Sequence, residues 1–344
     1  MKEARFLQKN MDKWKACEQQ LERPGDPDVL ASSFIELTDD LAFARTFFPG
    51  SRTADYLNGL TAGFHQKLYR HRREPGSRLW SFWRYELPFL IGRYHRQLGY
   101  AFLIFMAFIG VGALSAAGET TFIRVVLGDP YVNQTLENIS HGNPFGIYQQ
   151  QSPLWMFFVI AKNNITVAFL AYVLGITASI GTIVLLMYNG IMLGAIETFF
   201  FQQGIGWDSI WTIFIHGTLE ISVTIVAGCA GLVLGSSLLF PGTDSRGDSL
   251  RRGSRDAAKI AFGLAPFYLV AAFLESFVTR HYQHMPVAMK ILILLTSLGL
   301  VIGYFVLYPI RLHRQARQAR ENPRAVFPDN NFTTWLNRHL RFEK

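Results

Sequence analysis

The sequence has little charge for its length. Only 17% of its 344 residues are Asp, Glu, Lys or Arg, and half are hydrophobic, whereas soluble domains average about 25% charged residues. Residues 1–96 are polar, but 99–310 consist mostly of long apolar blocks. A bilayer with a hydrocarbon core of about 30 Å requires such runs of about 20 residues, and a soluble core does not produce them. The composition predicts an integral membrane protein.

Cysteines and common catalytic motifs are also scarce. The two cysteines, Cys17 and Cys229, lie in a polar segment and in an apolar block, so we expect no disulfide between them. The sequence contains no P-loop, no G-x-S-x-G and no H-E-x-x-H, which are signatures of nucleotide-driven enzymes, serine hydrolases and zinc proteases. We therefore expect a protein that is not an enzyme, with no catalytic residue, no metal and no cofactor.

The net charge of +8 is concentrated beside the apolar blocks. Arginines precede the first block (Arg70, Arg72, Arg73, Arg78, Arg84, Arg93, Arg96) and follow the last one (Arg311, Arg314, Arg317, Arg320). Cytoplasmic anchors beside anionic lipid have this placement. No motif for nucleic-acid recognition accompanies the charge, so we expect membrane lipids as partners and no nucleic acid.

The polar N-terminal part predicts a small helical domain over residues 1–76. Apolar residues recur at helical spacing in three segments, from about Glu3 to Leu21, from Pro27 to Phe48, and in a third segment that includes Leu57 and Phe64. Residues 77–98 add tryptophans among arginines, which is typical of an interfacial amphipathic segment. No signal-peptide core precedes them, so we expect this domain to stay in the cytoplasm.

Residues 99–310 predict a membrane domain of six helices, so the fold class is an all-α polytopic membrane helix bundle with an N-terminal cytoplasmic helical domain. An extracytoplasmic polar loop is expected at 118–162 and a basic cytoplasmic tail at 311–344. The predicted spans are about Gly99–Ala117, Ile165–Met187, a short span from Gly190, one within Ile210–Phe240, Ile260–Val278 and Val287–Ile310. The break between the second and third spans is expected at Asn189-Gly190.

The distribution of arginine predicts the orientation. The N-terminal flank, residues 241–259 and the tail are rich in Arg, whereas the three opposite loops carry few positive charges. The positive-inside rule then favours both termini in the cytoplasm of a bacterial inner membrane. If Asn189-Gly190 instead belongs to a re-entrant hairpin, the number of spans changes parity.

Ionisable residues inside the predicted spans are the candidate functional residues, because charge in a membrane is costly and usually faces a protein interior. Under the proposed topology they lie near one outer depth on separate helices. His216 and Glu220 are four residues apart and share a helix face. As metal ligands they form an incomplete pair that Glu197 and Glu275 would have to complete. The candidate polar cluster comprises Asn163, Asn164, Asn189, Glu197, His216, Glu220 and Glu275.

Three roles for this cluster remain open. Its residues could lock the bundle through polar contacts, form a binding surface or ion path, or form a catalytic or metal centre. Glycines at helix-packing spacing, such as Gly190 and Gly194, favour close approach of the spans.

Several short segments resemble the stage II sporulation protein M family. His216-Gly-Thr-Leu-Glu220, followed by a Gly- and Ala-rich span and Pro241-Gly242, carries the resemblance, as do Asn189-Gly-Ile-Met-Leu-Gly194 and Ala272-Phe-Leu-Glu275. The core resemblance covers about residues 155–285. Upstream, Asp40-Leu-Ala-Phe-Ala-Arg45 with Pro49, Tyr56-Leu-Asn58 and His65 are similar to the N-terminal extension of longer, non-sporulation members.

The resemblance implies a membrane protein that works with other proteins. The namesake acts with peptidoglycan-degrading partners and is regarded as their anchor, so the resemblance implies a non-enzymatic scaffold with envelope or peptidoglycan-related partners. The cytoplasmic domain and the loop at 118–162 depart from the namesake, and a role in sporulation is not carried over. Two other functions remain open, a transporter or lipid translocase that uses the Glu/His cluster and a membrane-embedded hydrolase. A homo-oligomer also remains open.

Overall fold

The computed structural model describes residues 3–22, 27–69 and 77–321, together with 332, 335 and 336. Most of the described residues are helical, and none of them is in a strand. The chain divides into two compact units, Met1–Arg78 and Leu79–Lys344. The predicted all-α fold class is confirmed.

The first unit contains the three predicted amphipathic helices, α1 (Glu3–Glu22), α2 (Pro27–Phe47) and α3 (Arg52–Tyr69). Their apolar faces form one core, in which the side chains of Trp14, Leu37, Leu57 and Phe64 are fully buried. The indole nitrogen of Trp14 donates a hydrogen bond of 2.8 Å to Asp40 Oδ2 on α2. The largest side chain of this core is therefore also satisfied in hydrogen bonding.

Six helical segments of the second unit are long and apolar enough to cross a membrane. In chain order these spans are His95–Gly118, Pro153–Thr177, Ile180–Gln202, Gly206–Leu239, Arg246–His284 and Val287–Ala319. The helices of this unit are α4 (Ser77–Ser81), α5 (Leu87–Arg93), α6 (His95–Gly118), α7 (Thr120–Leu127), α8 (Asp129–Ser140), α9 (Pro153–Val173), α10 (Ile180–Gln202), α11 (Gly206–Leu239), α12 (Arg246–Gly263), α13 (Ala265–Phe273), α14 (Val287–Ile302) and α15 (Tyr308–Glu321). The predicted six-span bundle is confirmed.

The fourth span, α11, is the central helix and packs against all five other spans. Small residues allow its backbone to approach its neighbours closely. A Cβ atom on Gly231 would lie only 2.1 Å from the carbonyl oxygen of Ala171 on the second span, and one on Gly235 would lie 2.4 Å from the backbone nitrogen of Ser179. Lipid tails are as apolar as the helices, so such close packing is a main source of helix association in a membrane.

The break between the second and third spans was predicted at Asn189-Gly190, and this prediction is wrong. Both residues lie inside the continuous helix α10. The Asn189 amide donates a 2.8 Å hydrogen bond to the Leu185 carbonyl one turn earlier, which satisfies it within the helix. Gly190 faces the first span, where a Cβ would lie 2.8 Å from the Phe105 carbonyl oxygen. The Asn-Gly pair is therefore a helix-packing position and not a turn.

The actual turn between these spans lies at Ala178 and Ser179. Both residues have positive φ angles, 54° and 71°, in the left-handed region that non-glycine residues rarely adopt. Contact of Ser179 with Gly235 on the central helix holds the turn in place. Tertiary packing thus stabilises a backbone conformation that the local sequence does not favour.

The second span begins earlier than predicted, at Pro153, with the Ser152 hydroxyl accepting a capping hydrogen bond from the Trp155 amide. Residues 153–162 therefore belong to a span and not to the polar loop. The remaining part of the loop is folded into α7, α8 and a short 3₁₀ turn, Gly146–Gln149. Their apolar residues pack against the ends of the third and fifth spans, and we call this segment, residues 119–149, the cap.

The aromatic segment before the first span packs into the bundle. Leu87, Leu90 and Ile91 belong to its main core, and the Trp83 indole donates a 2.9 Å hydrogen bond to the Gly263 carbonyl. Tyr85 and Phe89 lie against Leu312 and Ala316 of α15 and against Phe332, Trp335 and Leu336. Helix α15 follows the π turn Gly303–Leu307 and forms the last part of the sixth helical segment, so the first part of the predicted tail is helical.

The glycine contacts predict a specific sensitivity to added volume. A Cβ on Gly194 would lie 2.2 Å from the Ile109 carbonyl oxygen of the first span, whereas one on Gly110 would meet nothing within 4 Å. We expect Gly194→Ala to destabilise the bundle by about 1–3 kcal/mol, the usual range for overpacking, and to lower the melting temperature in mild detergent. Gly110→Ala is the matched control and should melt like the wild type. Equal melting temperatures for the two variants would contradict this packing.

The core of the first unit predicts that residues 1–78 are soluble and helical when expressed alone. Trp14→Ala should lower their free energy of unfolding by about 3–5 kcal/mol, because it leaves a large cavity. Ile35→Ala should change it by less than about 0.5 kcal/mol, since Ile35 is 62% exposed. Circular dichroism during urea unfolding measures both values. A random-coil spectrum of the wild-type fragment would contradict an independently folding unit.

Candidate functional site

Three ionisable side chains from two spans converge inside the bundle. His216 and Glu220 lie one turn apart on α11, and Glu275 comes from the fifth span. One donor atom of each residue lies within 4.8 Å of the other two. His216 is only 5% exposed, and the Glu275 side chain is 15% exposed. We call these three residues the His/Glu cluster.

Both ring nitrogens of His216 face polar groups. Its Nδ1 lies 3.0 Å from the Thr279 hydroxyl, which is hydrogen-bond distance. Its Nε2 lies 3.9 Å from Glu275 Oε1, which is longer than a direct hydrogen bond. The Tyr148 ring of the cap packs edge-on against the imidazole, with 5.6 Å between ring centroids. The histidine is therefore oriented by Thr279 and covered by Tyr148.

A local change in helix type accompanies Glu275. The regular helix α13 ends at Phe273, and Leu274–Val278 forms a wider π-helical turn before the 3₁₀ segment Thr279–His284. Such π turns often occur at functional positions in helices, although Phe82–Glu86 and Gly303–Leu307 form π turns elsewhere in this chain. The turn lies against both the second and fourth spans, and this position brings Glu275 to the cluster.

The second span contributes two asparagines. Asn163 and Asn164 lie in the middle of this span and not at its start, because α9 begins at Pro153. Asn163 Nδ2 donates to Asn164 Oδ1 at 3.3 Å, and Asn164 lies beside Glu220. Asn164 is 6% exposed, and its Nδ2 atom has no hydrogen-bond partner of normal geometry in the part of the chain that the structure describes.

Two of the predicted cluster residues lie apart from the others. Glu197 accepts a 2.7 Å hydrogen bond from the Ser209 hydroxyl, and it is not among the residues whose donor atoms meet. Asn189 bonds within its own helix. Residues at a shared depth on separate helices therefore meet only when their helix faces also point at one another.

Two residues that contact the histidine, Thr279 and Tyr148, were not predicted from the sequence. Thr279 lies four residues after Glu275, so helical spacing could have placed it on the same face. Tyr148 had no such signal, because it lies in the cap and reaches His216 only through tertiary folding. Burial, followed by the nearby Glu275 carboxylate, raises the pKa of the Tyr148 phenol well above its usual value, so this side chain stays neutral.

A second polar feature lies at the other ends of the spans. A cleft of about 1520 Å³ is lined by five arginines, Arg93, Arg251, Arg252, Arg255 and Arg317. Two of its lining residues, Tyr94 and Arg93, donate hydrogen bonds of 2.9 Å and 3.4 Å to the buried Asp256 carboxylate. No residue of the His/Glu cluster lines this cleft.

The arrangement of the His/Glu cluster suits the binding of a cation or the holding of protons. Its donor atoms are two carboxylates and one imidazole, which are oxygen and nitrogen ligands for a divalent metal ion. Glu197 would not complete such a set, contrary to the expectation from sequence.

Two family models match different parts of the chain. A family model described as stage II sporulation protein M matches residues 101–280, which include the whole His/Glu cluster. A second model, described as a domain of unknown function (DUF8413), matches residues 4–70. No curated protein and no solved structure matches the chain. Since the first model covers more than half of the sequence, the chain belongs to the stage II sporulation protein M family.

Proposed function

We propose that the protein is a non-enzymatic scaffold in a bacterial cytoplasmic membrane that anchors partner proteins of envelope or cell-wall processes. The observation that carries this proposal is the combination of a tightly packed six-span bundle with a separate helical unit, residues 1–78. Membership of the family supports it, because the namesake of the family is regarded as an anchor for peptidoglycan-degrading enzymes.

The packing of the bundle favours a static anchor over a protein that undergoes large conformational changes, such as a transporter. A Cβ on Gly112 would lie 2.3 Å from the Ile191 carbonyl oxygen of the third span, and one on Gly175 would lie 2.3 Å from the Gly231 carbonyl oxygen. Backbones this close leave little room for a passage between these spans. Because close-packed interfaces do not deform continuously, a large relative movement would require these contacts to be broken.

The proposed partners bind at two surfaces, the first unit on the cytoplasmic side and the cap on the outer side. Photo-crosslinking in living cells tests this with matched positions. Ile35 on α2 and Val125 on α7 are 62% and 76% exposed, whereas Leu37 and Ile123 on the same helices are 0% and 2% exposed. We expect a photoreactive residue at Ile35 or Val125 to give adducts of discrete mass with other proteins, and one at Leu37 or Ile123 to give none.

The identity of the crosslinked molecules decides whether the protein is a scaffold. Adducts that contain only a second copy of the chain would indicate a homo-oligomer in place of heterologous partners. Adducts with lipid alone at all four positions would contradict a scaffold. Mass spectrometry of the adducts distinguishes these outcomes.

The proposed orientation has both termini in the cytoplasm, and it rests on the arginines beside the spans. Single cysteines at Pro130 and Gln283 should react with a membrane-impermeant maleimide in intact cells, whereas one at Gly247 should not. The native Cys17 and Cys229 are buried and should contribute little background labelling. Labelling at Gly247 from outside would contradict the orientation.

A second candidate function is transport of an ion or lipid, and the buried His/Glu cluster favours it, because ionisable residues in spans often mark transport paths. Flux measurements in liposomes that contain the purified protein test this candidate. A transporter predicts flux above that of empty liposomes and loss of flux in Glu220→Gln. No flux with any tested ion or labelled lipid would leave the scaffold as the function.

A further inference from the structure

We propose that His216, Glu220 and Glu275 bind one divalent transition-metal ion, with Zn²⁺ as the best match, within the membrane bundle. The donor set is one imidazole nitrogen and two carboxylate oxygens, and one such atom of each residue lies within 4.8 Å of the others. Zn²⁺ commonly takes three protein ligands of these types and leaves a fourth position for another ligand.

The spacing of the donors suits an ion. Bonds of about 2.0–2.2 Å in a tetrahedral site place two ligand atoms about 3.4 Å apart. The distance from His216 Nε2 to Glu275 Oε1 is 3.9 Å, so the two atoms are too far apart for a direct hydrogen bond. These two atoms need to move closer by about half an ångström to share an ion of this size. The other donor pairs, which lie within 4.8 Å of each other, need to close by at most about 1.4 Å.

The second nitrogen of the histidine is held as in known metal sites. A metal-binding imidazole usually donates its other N–H to an oxygen acceptor, which fixes the tautomer and the ring orientation. The Thr279 hydroxyl lies 3.0 Å from His216 Nδ1 and can accept this hydrogen. In that tautomer the lone pair of Nε2 faces Glu275.

Charge balance also favours a cation. Two carboxylates and an imidazole lie together inside a bundle of apolar helices, where charge is costly and like charges repel strongly. Among the described residues, no Lys or Arg forms an ion pair with Glu220 or Glu275. One divalent ion would neutralise both carboxylates.

Asn164 provides an independent observation. Its Nδ2 atom is buried beside the Glu220 carboxylate but makes no hydrogen bond of normal geometry with any described residue, and a poorly satisfied buried donor is unfavourable. The oxygen of a water or hydroxide in the fourth position of the metal would supply an acceptor. The same ligand would complete the coordination of the ion.

Metal analysis of the full-length protein tests the proposal. The chain is purified in detergent with a histidine-free tag, and its metal is measured by inorganic mass spectrometry. We expect about one equivalent of a transition metal per chain in the wild type, and loss of most of it in Glu220→Gln and Glu275→Gln. Glu197→Gln is the matched control, because it alters a buried carboxylate outside the cluster, and it should keep its metal.

Titration of the chelator-treated wild type gives a second readout that does not depend on variants. Added Zn²⁺ should raise the melting temperature of this protein, as any ligand of the native state does. Thr279→Ala should bind Zn²⁺ about 10–100-fold more weakly, the usual effect of losing such a supporting contact. The proposal would be overturned if the metal-free wild type neither binds Zn²⁺ nor melts at a higher temperature when Zn²⁺ is added. The two carboxylates would then be held together by shared protons and not by a metal ion. If Glu220→Gln, Glu275→Gln and the Glu197→Gln control all contain the same amount of metal, the bound metal is adventitious and the proposal is overturned.

Discussion

Close approach of helix backbones at the fourth span is the constraint on which the rest of the membrane domain depends. Lipid provides little driving force for helices to associate, so the contacts at Gly228, Gly231 and Gly235 hold the second and third spans against the central one. The same closeness determines what polar side chains can reach. His216 and Glu220 on the central helix meet Glu275 because the fifth span also packs against that helix.

The cluster is connected to the cap as well as to the bundle. Tyr148 covers the His216 ring, and the Tyr282 hydroxyl at the end of the fifth span donates a 2.7 Å hydrogen bond to Asn143 of the cap. The cap therefore closes the end of the bundle where the ionisable residues lie. A change in the cap would alter the surroundings of the histidine without altering any span.

Much of this fold is encoded in local patterns of the sequence. Apolar block length and arginine placement predicted six spans, and helical spacing predicted the three helices of the first unit. The exact break between the second and third spans was not predictable, because Asn189-Gly190 resembles a turn in water but packs as a helix in the bundle. Ala178 and Ser179 carry no turn signal, and their conformation is stabilised by contact with Gly235, which is distant in sequence.

The candidate site was also predictable only in part. Spacing of four residues pairs His216 with Glu220, and a common depth indicated Glu275. Depth alone does not determine which way a helix face points, so Glu197 and Asn189 were grouped with residues that they do not meet. Tyr148 needed the tertiary structure, because no periodic pattern extends from the cap into the spans.

The packing of Tyr85 and Phe89 against Phe332, Trp335 and Leu336 has a consequence for biosynthesis. Chains emerge from the ribosome from the N-terminus and fold in that order. The aromatic segment before the first span is made early, but its partners follow all six spans. Tyr85 and Phe89 therefore remain without these partners during membrane insertion, and the domain is completed only after residue 336 has been synthesised.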